Sequence, residues 1–236
     1  MSAIGLEIRR SERFFPWFLL ATLLPILVMP FTNLDGNAVQ RLLFPITTLF
    51  QVVIALRMMP AGLLCVGRWS LLPLYRCLGV GCAVVMWLPF LPGHHAGHQW
   101  HVPILSVISG FYLFTAVAIV LILARVDRVN EAVLSLGAAG YVHLGLTGGQ
   151  LATALEVLNP GSFSLGRMLP GEELVERLSY FSFVTLGTLG YGDVLPATAL
   201  AESFAVLLSV TATLYVTLII GLLLSRYIAS LEAENH

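Results

Sequence analysis

Residues 188–193 read Thr188-Leu189-Gly190-Tyr191-Gly192-Asp193, and the chemistry such a run offers lies mainly in its backbone. A cation stripped of its water needs a dense set of oxygen ligands, and consecutive peptide carbonyls supply them without fixed charge. For those carbonyls to point the same way, successive residues must alternate between right- and left-handed dihedrals, and glycine takes the left-handed ones cheaply. Gly190 and Gly192 stand at alternate places in the row, and Thr188 could add a hydroxyl oxygen at its inner end. Leu189 is placed to contribute its carbonyl rather than its side chain.

Such a row has to be held in place by its neighbours. Glu172 and Glu173 follow Pro170-Gly171 and suit the positive N-terminus of a short helix running to about Leu186. The negative C-terminal end of that helix would point at the middle of a membrane. A membrane is what the composition demands. The chain has 236 residues, 58% hydrophobic and 11% charged, with a mean hydropathy of +0.89, whereas soluble domains carry roughly a quarter charged residues. This excludes a soluble enzyme domain, a disordered tail and a nucleic-acid binder. The balance of 12 Arg and no Lys against 13 Asp plus Glu offers no surface for a polyanion. A polytopic membrane protein remains.

A bilayer core of about 30 Å needs about 20 apolar residues per helix. Six runs qualify as spans: Phe14–Phe31, Leu42–Met59, Leu74–Leu91, Val102–Ala124, Ala132–Leu158 and Ala199–Ser225. The stretch from Glu172 to Pro196 is too short and too polar to cross twice, so it reads as a re-entrant segment. The run after Arg9, Arg10 and Arg13 is long enough to span and lacks a convincing cleavage site, which makes it a retained first helix rather than a signal peptide. With the N-terminus inside, nine arginines fall on the cytoplasmic side (Arg9, Arg10, Arg13, Arg57, Arg68, Arg76, Arg125, Arg128, Arg226) and three outside (Arg41, Arg167, Arg177). That bias places both termini in the cytoplasm and the re-entrant segment on the outer side, as in a plasma membrane of the bacterial inner-membrane kind.

At this point the chain resembles the tetrameric potassium-channel family, in its prokaryotic two-helix pore-module form. The family filter reads T-x-G-Y-G-D, and Thr188 to Asp193 match it position by position. The resemblance covers roughly Ala132 to Arg226; the first four spans carry no comparable motif. It implies that Thr188, Leu189, Gly190, Tyr191 and Gly192 bind potassium ions. Each chain would supply a quarter of every oxygen cage, so a homotetramer is required. It further implies that Tyr180 and Phe181 pack behind the filter, that Tyr180 hydrogen-bonds Asp193, and that Thr185 gives support. Val184 stands where some members carry a carboxylate, which argues against that form of filter inactivation. Gly187 replaces a Thr common in relatives, which would loosen the helix–filter junction. The inner-helix hinge position falls on Ala212, not Gly, with Gly221 available lower down. Thr211, Thr213 and Thr217 could face an inner cavity or bond their own helix backbone.

Outside that region the signals are weaker. Val102–Ala124 contains no arginine, and Arg125 and Arg128 stand only at its cytoplasmic end. A voltage sensor needs several arginines along the helix, so steep voltage gating is not expected. The loop Gly93 to His101 holds His94, His95, His98 and His101. It reads first as a polar interfacial loop anchored by Trp100, and secondarily as a site of zinc, copper or proton modulation. His143, midway along the fifth span, reads as a packing residue on a helix made close-fitting by Gly140, Gly145 and Gly149, and Gln51 and Gln150 are read the same way. Cys65, Cys77 and Cys82 show no ligand spacing and read as small apolar residues.

The reading that follows is an all-α membrane protein of six transmembrane helices plus a re-entrant pore helix and filter. Residues 1–131 would form a four-helix peripheral domain, 132–229 the pore domain, and 230–236 a short cytoplasmic tail, too short for a regulatory domain. Passive potassium-selective conduction is expected, with the lipid bilayer and three further copies as partners, no nucleic acid and no organic cofactor. The alternatives are a weakly selective or ligand-, pH- or metal-gated cation channel of the same fold, or a membrane sensor or assembly subunit. An enzyme is not expected, since HExxH, GxSxG and an intramembrane Asp pair are all missing from the sequence.

Overall fold

The computed structural model describes residues 3–32, 38–66, 69–87, 101–126, 129–168 and 172–234, and they are overwhelmingly helical. An amphipathic helix α1 (Ala3–Ser11) leads through a 3₁₀ turn into α2 (Phe15–Thr32), followed by α3 (Ala38–Met58). A short antiparallel pair, β1 (Cys65–Val66) with β2 (Trp69–Ser70), precedes α4 (Leu72–Trp87), α5 (His101–Arg125) and α6 (Glu131–Leu158). Then come β3 (Phe163–Ser164), α7 (Leu174–Leu186), β4 (Leu195–Pro196) and α8 (Ala199–Leu214). A π-helical turn (Tyr215–Ile220) and α9 (Gly221–Glu234) complete the order. The five helices α2 to α6 fall on the five spans read before the re-entrant segment, and α8, the π turn and α9 fall on the sixth.

Among the described residues, three stretches are long and apolar enough to cross a membrane: Gly5–Val28, Pro103–Arg125 and Ala199–Ile228. Pro45–Met58 and Leu72–Trp87 are apolar but shorter. Helix α6, at 28 residues, is about 42 Å long yet is not among them. Its composition explains why. Gly137, Gly140, His143, Gly145, Thr147, Gly148 and Gly149 are all buried, because α6 packs against α2 and α5 on one side and α7 on another. A helix enclosed by protein does not need the side chains that lipid selects for.

The main core lies among α2 to α6, where Phe15, Phe18, Met58, Tyr75, Phe111, Ile119, Ile122 and Leu136 are fully enclosed. Inside it sits a polar chain. The Tyr112 hydroxyl donates to Gln51 Oε1 at 3.1 Å, which leaves Gln51 Nε2 to donate to His143 Nδ1 at 3.0 Å. His143 Nε2 therefore carries the proton and donates to the Tyr112 carbonyl at 3.0 Å. One neutral tautomer satisfies every member, as a buried polar network must. His143 and Gln51 are thus packing residues that tie α3, α5 and α6 together.

Contacts at one end of the bundle join segments counted above as cytoplasmic. Glu7 accepts from Gly62 N, Arg125 Nη1 donates to the Leu63 carbonyl, Asn130 donates to Glu12, and Arg226 Nη1 donates to the Val126 carbonyl at 3.0 Å. Of the histidine loop, His94, His95 and His98 lie outside the described residues, and His101 opens α5.

Candidate functional site: the re-entrant segment

Helix α7 is capped by Glu173, whose backbone N–H donates to the Glu176 carboxylate at 3.2 Å, so of the expected Glu172–Glu173 pair only Glu173 enters the capping box, and its partner is Glu176. Two faces of α7 are buried. Ser182 Oγ donates to the Gly145 carbonyl of α6 at 2.8 Å, and a Cβ at Gly145, Gly148 or Gly149 would overlap Phe183, Ser182 or Ser179. Glycines on α6 are therefore what allows the short helix to lie against it. At its far end, Leu186 packs with Leu208 and Ala212 of α8, nine and thirteen residues beyond Ala199. At 1.5 Å per residue, that is about 14–20 Å down α8, or roughly half a bilayer core. Helix α7 therefore runs that far alongside α8 before the chain turns back.

The turn back is closed tightly. Leu189 N donates to the Val184 carbonyl at 3.0 Å and Thr188 N to the Thr185 carbonyl at 3.1 Å, the hydrogen-bond pair of a Schellman cap. Gly187 N reaches the Phe183 carbonyl at 2.9 Å, and the Tyr141 hydroxyl donates to the Leu186 carbonyl at 3.2 Å. All four terminal carbonyls of α7 are thus accounted for. The looseness expected from Gly187 does not arise. Gly187 has φ −75°, and the left-handed residue of the cap is Thr188, at φ 56°.

Left-handed backbone then recurs at every second residue. Thr188, Gly190 and Gly192 have φ of 56°, 59° and 77°, while Leu189 and Tyr191 do not share that sign. This is the alternation inferred from the two glycines, extended one step to a β-branched residue for which positive φ is a true outlier. A Cβ at Gly190 or Gly192 would meet nothing within 4 Å. Backbone handedness, not space, is what requires glycine there. Leu189 and Tyr191 are 59% and 65% exposed in the single chain, so the row forms one open wall.

Beyond the row, Asp193 pairs with Arg177 at 3.3 Å, and the Arg177 guanidinium lies over the Tyr180 ring, 5.4 Å from its centroid. Phe181 meets Phe163 edge-on at 5.2 Å, in a small core with Leu178, Val194 and Ala201. Thr185 lends its carbonyl to the cap. Sequence reasoning assigned Arg177 only to the arginine count and passed over Gly166 and Tyr141; the placement of Arg177 three residues before Tyr180, on one helical face, was the available signal.

On α8 and the π turn, the hydroxyls of Thr211, Thr213 and Thr217 bond backbone carbonyls four residues back, at 2.7, 3.0 and 2.8 Å. Ala212 is buried in regular α-helix and Gly221 follows the irregular stretch; the departure from α geometry falls between them, at Tyr215–Ile220. The Tyr215 hydroxyl donates to the Gly137 carbonyl of α6 at 2.8 Å, which ties the start of the π turn to the outer helix.

A family profile described as an ion channel, of the two-helix pore-module type, matches residues 168–229. No curated protein and no solved structure matches the chain. The matched segment runs from the outer loop through α7, the 188–193 row and α8 into α9, about a quarter of the chain, so the geometry above belongs to a segment similar to an ion-channel pore. With three helices long and apolar enough to cross a membrane among the described residues, the chain is a mostly helical protein of membrane type that carries this ion-channel-like segment.

Proposed function

We propose that the chain is one subunit of a homotetrameric, potassium-selective channel that conducts passively, with Thr188 to Gly192 of four copies lining the filter. The observation that carries this reading is the alternation of left-handed backbone at Thr188, Gly190 and Gly192. That arrangement aligns carbonyls along one side, where they can replace an ion's hydration shell. Residues 1–131 form a peripheral domain of four spans, 132–229 the pore, and 230–236 a cytoplasmic tail, in a plasma membrane with both termini inside. Potassium ions in the filter are the transported species. Gating is not steeply voltage-dependent, since α5 carries its one arginine at the end, Arg125. Rubidium uptake into liposomes holding the purified protein tests this: uptake that wild type supports and Gly190→Ala abolishes is expected, and equal uptake by both overturns it.

A further inference from the structure

The inner helix leaves α geometry over the π turn Tyr215–Ile220, and it is fixed to its surroundings both above and below that turn. Above, Tyr215 sits in a slot on α6. Its hydroxyl donates to the Gly137 carbonyl at 2.8 Å, and its ring and hydroxyl fill the space a Cβ of Gly140 would take, with Ile119 of α5 beside them. Below, a Cβ at Gly137 would lie 2.8 Å from Leu223 and 3.5 Å from Ile220, so those side chains occupy the next step of the same glycine face. Lower still, Arg226 Nη1 donates to the Val126 carbonyl at 3.0 Å, and Tyr227 packs against the main core.

The spacing along this face is out of step with an α-helix. An uninterrupted helix returns to one face at the fourth and seventh residues, which from Tyr215 are Ile219 and Leu222. The residues seated against Gly137 are Ile220 and Leu223. The π turn has therefore taken up one extra residue. The sequence here reads Leu218-Ile219-Ile220-Gly221-Leu222-Leu223-Leu224, so a slip of one residue would seat Ile for Ile and Leu for Leu. It would also remove a backbone form that is rare and found mostly as single turns at functional sites. What the slip does not preserve is the lower anchor. Ser225 would stand where Arg226 stands, and Arg226 where Tyr227 stands.

We propose that the π turn is a register switch: the inner helix below it has two settings one residue apart, and Arg226 holds the one seen here. The inference rests on the channel reading above, under which the side of the inner helix away from α6 lines the pore. One residue is about 100° of rotation. The slip therefore exchanges Leu218 for Thr217 on that side, and the register sets whether an apolar or a hydroxyl-bearing side chain meets the ion's path at this level. A simple hinge would move both residues together. A register change must move them oppositely.

The test is the rate at which a charged, water-soluble thiol reagent modifies Thr217→Cys and Leu218→Cys, each in the full chain in liposomes with the three native cysteines replaced by Ala. Arg226→Gln removes the anchor. Ser225→Arg combined with Arg226→Ser moves it back by one residue, to where the slipped helix would use it. Both changes are expected to speed modification at Thr217→Cys and to slow it at Leu218→Cys, by about threefold to tenfold for the loss of one hydrogen bond and by more for the exchange. Thermal unfolding identifies the folded variants. Should Arg226→Gln fail to fold, the exchange, which keeps the composition, reads the same anchor. Rates that move in the same direction at both positions, or stay at wild-type values in folded variants, overturn the switch. Rubidium uptake by wild type in the same liposomes is read separately: its absence overturns the channel reading, while the opposed rates still decide the register.

Discussion

Thr188 is the residue at which chemistry and conformational preference conflict. A β-branched residue in the left-handed region costs about 1–2 kcal/mol, and glycine would be the inexpensive choice at the closing position of a Schellman cap. The proposed channel reading gives threonine a reason to stand there: its hydroxyl would add an oxygen at the inner end of the carbonyl row. Thr188→Gly is therefore expected to leave folding stability unchanged or raise it by up to about 1 kcal/mol, since relieved strain outweighs the entropy glycine adds to the unfolded chain. Rubidium flux should fall in the same variant. Thermal unfolding and flux measured on one preparation check both halves; lowered stability would show that Thr188 is not strained. The glycines of the row were legible from residue type alone, because nothing else takes positive φ so easily. Thr188 was not, since its side chain argues for extended backbone and only the closing hydrogen bonds of α7 overrule it. Arg177 was hidden for another reason: counting charges by side of the membrane treats an arginine as a topology anchor and says nothing of what its fork can reach.

The helices were legible in outline because apolar runs of membrane length leave few alternatives. The short pore helix was legible from its acidic start and its Gly-rich end. What hydropathy does not encode is which helix sits at the centre. Helix α6 is the least lipid-like of the long helices because it is the most enclosed, and its glycines are contact points rather than flexible joints. Gly148→Ala is expected to cost about 1–3 kcal/mol, because a Cβ there overlaps Ser182 and Leu208. Gly221→Ala, where a Cβ meets nothing, is expected to gain about 0.5–1 kcal/mol of helix stability. Thermal unfolding of the pair separates a packing glycine from a permissive one; equal effects would contradict the assignment. Of the chain of Gln51, Tyr112 and His143, only Gln51 and His143 were foreseen, as separate packing residues, since its members come from three helices far apart in sequence. Gln51→Leu leaves His143 Nδ1 and the Tyr112 hydroxyl unpaired, at an expected cost of about 1–3 kcal/mol in the same measurement. The π turn had no sequence signal, because a shift in hydrogen-bond register leaves the pattern of apolar residues intact. It lies just below the level reached by Leu186, bracketed by Tyr215 bonded to α6 and Arg226 bonded to the α5–α6 connection. Any bending of the inner helix would therefore be transmitted to the elements that join pore and periphery.

One chain does not enclose a pore. Across Ala199–Ile228 the inner helix is only 22% buried, against 50% for Pro103–Arg125, and Val206, Leu207, Val210, Leu214 and Leu218 are each at least half exposed. Such a surface is at rest only against lipid or further protein. On the proposed reading, further copies around a common axis would cover this apolar face and complete the oxygen cage begun by residues 188–192, and the peripheral helices would stand outside that ring, joined to it through α6. On the proposed channel reading, selectivity for potassium is the property that would most depend on several copies coming together, because discrimination between alkali cations requires a complete set of carbonyl ligands around the ion. The most direct test is the reversal potential of single channels with potassium on one side of a planar bilayer and sodium on the other. A potassium-selective pore must reverse far from zero, by about 59 mV for each tenfold preference of one monovalent ion over the other. Reversal displaced by more than that toward the potassium equilibrium potential is expected; reversal near zero would contradict a filter built from these carbonyls.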